Sequence, residues 1–182
     1  MAQRLRGSRG NGYVRDVPEP ATDPLELSRR YWDDDDLGDP SLFFAMTSVM
    51  RLSRRMMEPI DGVLRGHGLG LTAYLLLMSL DLSANGSMIL GRLARELIVH
   101  PTTITLTIDR LEEDKLVKKT PHETDGRATR ATITRAGRTL VRKVTKELAD
   151  VSFGLGDLSK AQTAKLTAAL TNARLATGDI PR

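Results

Sequence analysis

One stretch in the second half of the chain, KLVKKTPHETDGRATRATITRAG (residues 115–137), constrains the fold more than any other. Two short runs with β-branched residues, LVKKT and TRATIT, flank a turn at Asp125 and Gly126. An Asp-Gly turn between two such runs is the strongest short-range signal of a β-hairpin. In the second run Ala131 and Ile133 alternate with polar residues, so we expect one face of the hairpin to pack on a core.

Helical periodicity and capping signals dominate the rest of the chain. In the long segment after Ser41, apolar residues such as Met46 and Met50 recur at three- and four-residue steps, and glycines end the helix near Arg65. Helix starts are predicted at Asp23–Pro24, Asp39–Pro40, Thr72, His100–Pro101, Thr134 and Ser159. At the last of these, Gln162 completes a capping box.

Two short helices precede the hairpin, and a sharp break separates them. The residue before a proline avoids helical geometry, so His100 suits an N-cap and Pro101 the first helical position. The first helix is expected to bury a stripe of Leu90, Leu93, Leu97 and Ile98. The second is expected to turn Ile104, Ile108 and Leu111 inwards, and Thr102, Leu106 and Asp109 to the opposite side.

Helix, turn, helix and hairpin in this order are the layout of a winged helix-turn-helix. We therefore predict a mainly α-helical fold with a small β-wing. In this fold the second helix of the pair lies in the major groove of DNA, and the wing contacts the backbone or the minor groove.

Positive charge is concentrated around the predicted wing. The formal net charge is only +4, but ten lysines and arginines lie between Lys115 and Lys146, against two acidic residues, Glu123 and Asp125. A focused positive potential suits a polyanion, although a run of charge also serves simply as a solvated surface. Residues 1–22 are rich in Gly, Arg and Pro, and we predict a disordered basic arm there.

The candidate DNA contacts follow from this layout. Threonine methyls and Leu106 on the second helix can meet thymine methyls, and arginines at the hairpin tip can enter a narrow minor groove. Lys118 and Lys119 on the first strand are expected to neutralise phosphates. The predicted DNA-binding residues are Pro101, Thr102, Thr103, Thr105, Leu106, Arg110, Lys118, Asp125, Arg127 and Arg130. The alternative for the tip is a simple rigid turn, in which Asp125 pairs with Arg127.

The same residues carry a family resemblance. The segments LARELIVHPTTITLTIDRLEEDKLVKKT and DGRATRATITRAG resemble the multiple antibiotic resistance regulator (MarR) family. The wing pattern of that family is Asp-x-Arg, a strand, then Thr-x-x-Gly, which corresponds here to Asp125, Arg127, Thr134 and Gly137. The likeness covers about residues 41–176.

The resemblance implies a homodimer that binds a pseudo-palindromic operator in double-stranded DNA. Most members are repressors, and many release DNA when a small, often aromatic acid binds between the dimer and DNA lobes. The implied division is 1–22, a basic arm; 23–70, N-terminal helices contributing to dimerisation; 71–138, the winged helix-turn-helix DNA-binding domain; and 139–182, C-terminal dimerisation helices.

The chain departs from the family pattern at three positions. His100 stands where the family usually has Ser, and Lys115 stands where it has Gly. Leu106 replaces a residue that is frequently polar or basic.

The N-terminal helix with Trp32 is similar to one in the urate-responsive branch of the family. Leu75, however, occupies the position of that branch's acidic residue, which argues against urate. The candidate ligand contacts are Trp32, Met50 and Leu75. Trp32 is also a candidate core or dimer anchor.

Other function classes find little support in the sequence. The chain has no cysteine, and its three histidines lack metal-ligand spacing, so we expect neither a metal nor a cofactor. An apolar run of about 20 residues and a secretory signal are both missing, which predicts a cytoplasmic protein without a membrane partner. Two alternatives remain: a DNA-binding or architectural regulator without a ligand, and an enzyme that uses a winged-helix lobe for dimerisation.

Overall fold

The computed structural model describes residues 23–34, 38–121 and 129–180. The predicted basic arm (1–22) and the hairpin tip with Asp125 and Arg127 lie outside these residues. In chain order the described elements are α1 (Pro24–Asp34), α2 (Ser41–Gly66), α3 (Leu71–Leu82), β1 (Ser87–Ile89), α4 (Leu90–Glu96), α5 (Pro101–Glu113), β2 (Val117–Pro121), β3 (Thr129–Ile133), α6 (Arg135–Asp150), a 3₁₀ turn (Ser152–Gly154) and α7 (Lys160–Ala176). These elements confirm the mainly α-helical fold with a small β-wing.

Capping chemistry places most helix starts where the sequence predicts them. Side chains accept a backbone N–H of the first helical turn at Asp23, Asp39, His100, Thr134 and Ser159. Ser159 and Gln162 form the predicted capping box. The predicted cap at Thr72 is wrong, because α3 begins at Leu71 after an extended Gly70. Thr72 is therefore already inside the first turn.

Two compact units divide the chain within α2, and the first ends at residue 51. In this first unit Trp32 packs on Phe43 and Phe44, with ring centroids 4.8 and 6.1 Å apart. The indole Nε1 donates a hydrogen bond to the Gly38 carbonyl oxygen at 2.8 Å. Trp32 is thus one member of an aromatic cluster that joins α1 to the start of α2.

The second unit, from residue 52 onwards, closes an apolar core between its helices and the sheet. The most deeply buried side chains are Leu64, Leu76, Leu77, Leu80, Leu93, Ile104, Ile108, Leu111, Val117, Val141, Val144 and Leu148. The predicted inward stripe of α5 is therefore confirmed. The predicted stripe of α4 is wrong at Ile98, which is 76% exposed. The helix ends at Glu96, and a left-handed backbone (φ 52) turns the Ile98 side chain outwards.

The three strands form one antiparallel sheet in the order β1–β3–β2. The two predicted hairpin strands are confirmed, and Ala131 and Ile133 face the core as expected. Strand β1, which pairs with β3, was not predicted. A strand of three residues is too short to show the two-residue alternation by which strands are found in a sequence.

Gly137, the third residue of α6, lies where no side chain fits. A Cβ atom there would overlap the Leu116 carbonyl oxygen and come within 3.0 Å of the Ile133 side chain. Nearby, the Thr134 hydroxyl accepts the Gly137 N–H at 3.0 Å and donates to the Lys115 carbonyl at 2.9 Å. The Thr-x-x-Gly pattern therefore fixes the start of α6 against the turn that leads into β2.

The last helix, α7, contains no buried residue. Its apolar side chains include Leu166 and Leu170, the second of which is 38% exposed. Among the described helices, none is individually long and apolar enough to cross a membrane; α2 and α3 meet that requirement only as a bent pair.

Candidate nucleic-acid interface

The candidate interface begins with α5, whose start is set by His100 and Pro101. The His100 Nδ1 atom accepts the backbone N–H of Thr102 at 3.3 Å, which caps the helix. Proline at the first position costs no hydrogen bond, because that N–H has no partner within a helix. His100 therefore supplies the cap for which the family usually employs a serine.

The two sides of α5 differ sharply. Its inner side chains Ile104 and Ile108 are 0% exposed and belong to the core. On the outer side Leu106 is 66% exposed, although it is a large apolar residue. The other predicted contacts on this helix, Pro101, Thr102, Thr103, Thr105 and Arg110, are all exposed as well.

Two depressions flank the outer side of α5. One, of about 470 Å³, lies towards the start of α3 and is lined in part by Leu71, Leu106 and Arg110. The other, of about 360 Å³, lies towards the hairpin and is lined in part by Thr105 and Thr120. Within the described part of the second unit, the outer side of α5 is thus an uncovered ridge between two grooves.

Strand pairing assigns the hairpin side chains to two faces. Thr120 lies opposite Arg130, and Lys118 lies opposite Thr132. Because paired residues point to the same face and alternate along a strand, these four share one face. Lys118 is exposed, and neither it nor Arg130 forms a salt bridge to a described residue. Lys118 and Arg130 therefore lie on the same face of the sheet.

Lys119 points to the other face of the sheet. The prediction that it neutralises phosphate is wrong, because its charge is already paired. Its ammonium pairs with the Asp109 carboxylate and lies 3.1 Å from Glu112 Oε2. Its backbone N–H donates to Glu112 Oε1 at 2.8 Å. These contacts tie β2 to α5 and thereby fix the hairpin relative to the outer ridge.

The directions of the pKa shifts agree with this clamp, the set of ion pairs and hydrogen bonds that Lys119 forms with Asp109 and Glu112. Hydrogen bonds from the backbone and the ammonium of Lys119 lower the pKa of Glu112 below its ordinary value. The Asp109 and Glu112 carboxylates, Asp109 most strongly, raise the pKa of Lys119. Helical spacing alone predicts that Asp109 lies on the outer side of α5. Its ion pair with Lys119 has a signal in the strand pattern, because the two-residue period of β2 puts Lys119 on the same face as Val117.

A second clamp, formed by Asp81 with Arg138 and Arg142, was not predicted from the sequence. Asp81, at the end of α3, has a side chain only 6% exposed and holds two arginines of α6. Its carboxylate accepts a hydrogen bond from Arg138 and one from Arg142 Nε at 2.8 Å. The hydrogen bond from Arg142 is the main cause of the lowered pKa of Asp81. Part of the basic cluster around the wing is therefore paired with a buried carboxylate and is not free surface charge.

The three candidate ligand contacts lie apart in the sequence and in different elements. Trp32 belongs to the aromatic cluster of α1 and α2. Met50, in the first half of α2, is 47% exposed, and Leu75, in α3, is 37% exposed. Asp125 and Arg127, the predicted tip contacts, fall outside the described residues.

An uncovered second helix beside a three-stranded sheet defines a winged helix-turn-helix, and comparisons with known proteins agree. The model of the MarR family matches residues 69–129. Sco5413, a MarR family transcriptional regulator from Streptomyces coelicolor, is 36% identical; the match covers 80% of this chain and 100% of Sco5413, with a TM-score of 0.71. The chain therefore belongs to the MarR family of transcriptional regulators.

Two more distant structures share the fold. Sco3205, a MarR family regulator from Streptomyces coelicolor solved in complex with DNA, is 20% identical, with a TM-score of 0.65 over 71% of this chain and 83% of Sco3205. NadR, solved in complex with 4-hydroxyphenylacetate, is 17% identical, with a TM-score of 0.59 over 70% of this chain and 89% of NadR. No curated protein matches the chain.

Proposed function

We propose that the chain acts as a homodimeric, sequence-specific DNA-binding transcriptional regulator. The outer side of α5 enters the major groove of a pseudo-palindromic operator and presents Pro101, Thr102, Thr103, Thr105, Leu106 and Arg110. The hairpin face with Lys118 and Arg130 contacts the flanking phosphates, and the tip with Asp125 and Arg127 extends this contact.

The observation that carries the proposal is the uncovered outer ridge of α5. A helix that buries Ile104 and Ile108 on one side and leaves Leu106 exposed on the other has its inner face satisfied and its outer face unused. The N-terminal end of a helix also carries partial positive charge, which favours phosphate. Lys118 and Arg130 supply positive charge on the hairpin face opposite the one that contacts α5.

Exposed apolar surface on the terminal helices supports the proposed dimer. Along α2 the side chains of Leu42, Met46 and Val49 are 85%, 50% and 51% exposed. Helix α7 contains no buried residue and also calls for a partner surface, because a lone helix is seldom stable without packing. We assign residues 23–70 and 139–182 to dimerisation, and residues 71–138 to DNA binding.

The test uses a duplex selected by the full-length protein from a random library, with affinity measured by fluorescence anisotropy at several salt concentrations. Arg130→Ala should lower affinity about tenfold and reduce the salt slope by about two, one phosphate contact for each protomer. Lys146→Ala removes an equal charge from the exposed side of α6 and should change neither. Arg127→Ala is expected to behave as Arg130→Ala does.

An Arg130→Ala protein that kept both the affinity and the salt slope of the wild type would refute the hairpin contact. Failure of the selection to enrich any sequence would refute sequence-specific binding altogether.

We further propose that the regulator is a repressor released by a small aromatic or organic acid. The support is the likeness to NadR, which was solved with 4-hydroxyphenylacetate. The candidate contacts are the exposed apolar side chains of Met50 and Leu75, together with Trp32. The test measures thermal stability and operator release across a panel of phenolic and aromatic acids. A compound that raises the melting temperature and releases the duplex supports the switch. No response across the panel favours the regulator without a ligand.

A further inference from the structure

The outer ridge of α5 is unusual in the side chains it lacks. Apart from Arg110 in the third turn, the exposed side of α5 carries no Arg, Lys, Asn or Gln. These are the side chains that form paired hydrogen bonds with guanine or adenine in the major groove. The part of a recognition helix that reaches base edges first therefore lacks the usual means of reading purines.

Of the four threonines on this helix, two already use their hydroxyl hydrogen within the helix. The Thr105 hydroxyl donates to the Pro101 carbonyl oxygen at 3.1 Å, and the Thr107 hydroxyl donates to that of Thr103 at 2.7 Å. A hydroxyl group has one hydrogen to donate. Thr105 therefore offers a base its methyl group and oxygen lone pairs, but no donor.

Leu106, directly beside Thr105, is the most exposed large apolar side chain on this ridge, at 66%. Thymine is the only base that places a methyl group in the major groove. We propose that this ridge recognises thymine through its 5-methyl group, with Leu106 as the side chain that determines specificity. The inference rests on the proposed DNA-binding function and narrows it to a chemical class of half-site.

The experiment compares two forms of the same selected duplex, one prepared with thymine and one with uracil in place of every thymine. Uracil pairs as thymine does and lacks only the methyl group. Loss of one contacted methyl should weaken binding about fourfold, the factor that corresponds to about 0.8 kcal/mol for one buried carbon. A palindrome with one such contact in each half-site should therefore lose about 15-fold.

Two variants locate the effect. Leu106→Ala should weaken binding to the thymine duplex and reduce the ratio between the two duplexes towards one, since the reading side chain is gone. The exposure of Leu106 makes this change harmless to the core. Arg130→Ala, on the hairpin, should weaken both duplexes equally and preserve the ratio.

The outcomes separate the two levels of the proposal. Equal affinity of the wild type for both duplexes would overturn methyl recognition while leaving sequence-specific binding intact. A thymine preference that survives unchanged in Leu106→Ala would assign the preference to another side chain or to DNA shape and would overturn the role of Leu106. Only the failure to select any duplex would count against the proposed function itself.

Discussion

The region from α3 to α6 and the terminal helix α7 satisfy their apolar surfaces in opposite ways. Within the first region, helices and strands bury one another, so that Leu77, Ile108 and Val144 are 0% exposed. By contrast, the 17 residues of α7 contain no buried side chain in a single chain. The sequence signals for helix formation are nevertheless strong in α7, which has a complete capping box.

Helix formation and helix packing are therefore separate problems for this chain. Capping and periodicity are enough to define where α7 begins and ends. Its apolar residues still require a surface, which our account assigns to a second copy of the chain. The region from α3 to α6 should consequently depend on its own core for stability, whereas operator binding should depend on dimerisation.

The largest expected effect comes from a charge on the apolar side of α7. Leu170→Glu should dissociate the dimer into chains of 20.0 kDa, which sedimentation velocity can measure. Because a single protomer engages only one half-site, operator affinity should fall about 100-fold. Asn172→Glu places the same charge on another side of α7 and is the matched control.

A Leu170→Glu protein that sediments as the wild type does would contradict the proposed dimer contact of α7, since α7 would then not need a partner. Dissociation of both variants alike would point to general disruption of the helix.

The next effect tests the self-contained region. Gly137→Ala should lower the free energy of unfolding by about 3 kcal/mol, because its Cβ would overlap the Leu116 carbonyl oxygen. Gly91→Ala, near the start of α4, is the control: the nearest atom would be 4.0 Å away on Arg95, so a small gain in stability is expected. Urea unfolding of both variants measures the difference. Equal effects would show that the tight contact at α6 is not limiting.

Loss of the internal clamp should have a smaller effect. Asp81→Asn should lower the free energy of unfolding by about 2 kcal/mol at neutral pH, a modest figure because Arg138 and Arg142 are partly exposed. The folded pKa of Asp81 lies below its unfolded value. This contribution is therefore complete above about pH 4 and is lost as the pH falls through the folded pKa.

Unfolding of Asp81→Asn measured from neutral to acidic pH checks the sign of this effect. The gap between wild type and variant should narrow below about pH 4. A gap that stayed constant would assign the effect to packing instead of charge.

The smallest expected effect is a gain. Lys115, in the turn before β2, has a left-handed backbone with φ 60, the conformation for which the family uses glycine. Lys115→Gly should raise stability by less than about 1 kcal/mol, because relief of strain exceeds the added freedom of the unfolded chain. Thermal unfolding of this variant beside Lys118→Gly, at a strand position, provides the check; the control should lose stability.

Most features that depend on neighbours in sequence were predictable, with the Thr72 cap and the exposed Ile98 as exceptions. The start of α5 at Pro101 and the cap at Thr134 follow from hydrogen bonds spanning two or three residues. The buried positions of β3 follow from its alternation. The outer side of α5 follows from helical periodicity, and the exposure of Leu106 agrees with it.

Features that depend on distant partners were not predictable. Lys119 looks like any other cation of the wing until β2 is aligned on α5 and brings it to Asp109. Asp81 gave no signal because its arginines lie 57 and 61 residues further along the chain. Strand β1 exists only by pairing with β3. Sequence thus predicts which side chains face outwards more readily than it predicts which outward charges are already paired.

Operator affinity after an acidic residue is placed on the outer ridge of α5 decides whether this helix enters the major groove. Thr103→Glu should leave the melting temperature unchanged, because Thr103 is exposed, and should weaken binding to the selected duplex by more than about tenfold through repulsion by phosphate. A folded Thr103→Glu protein that binds the duplex as tightly as the wild type would contradict the placement of α5 in the major groove.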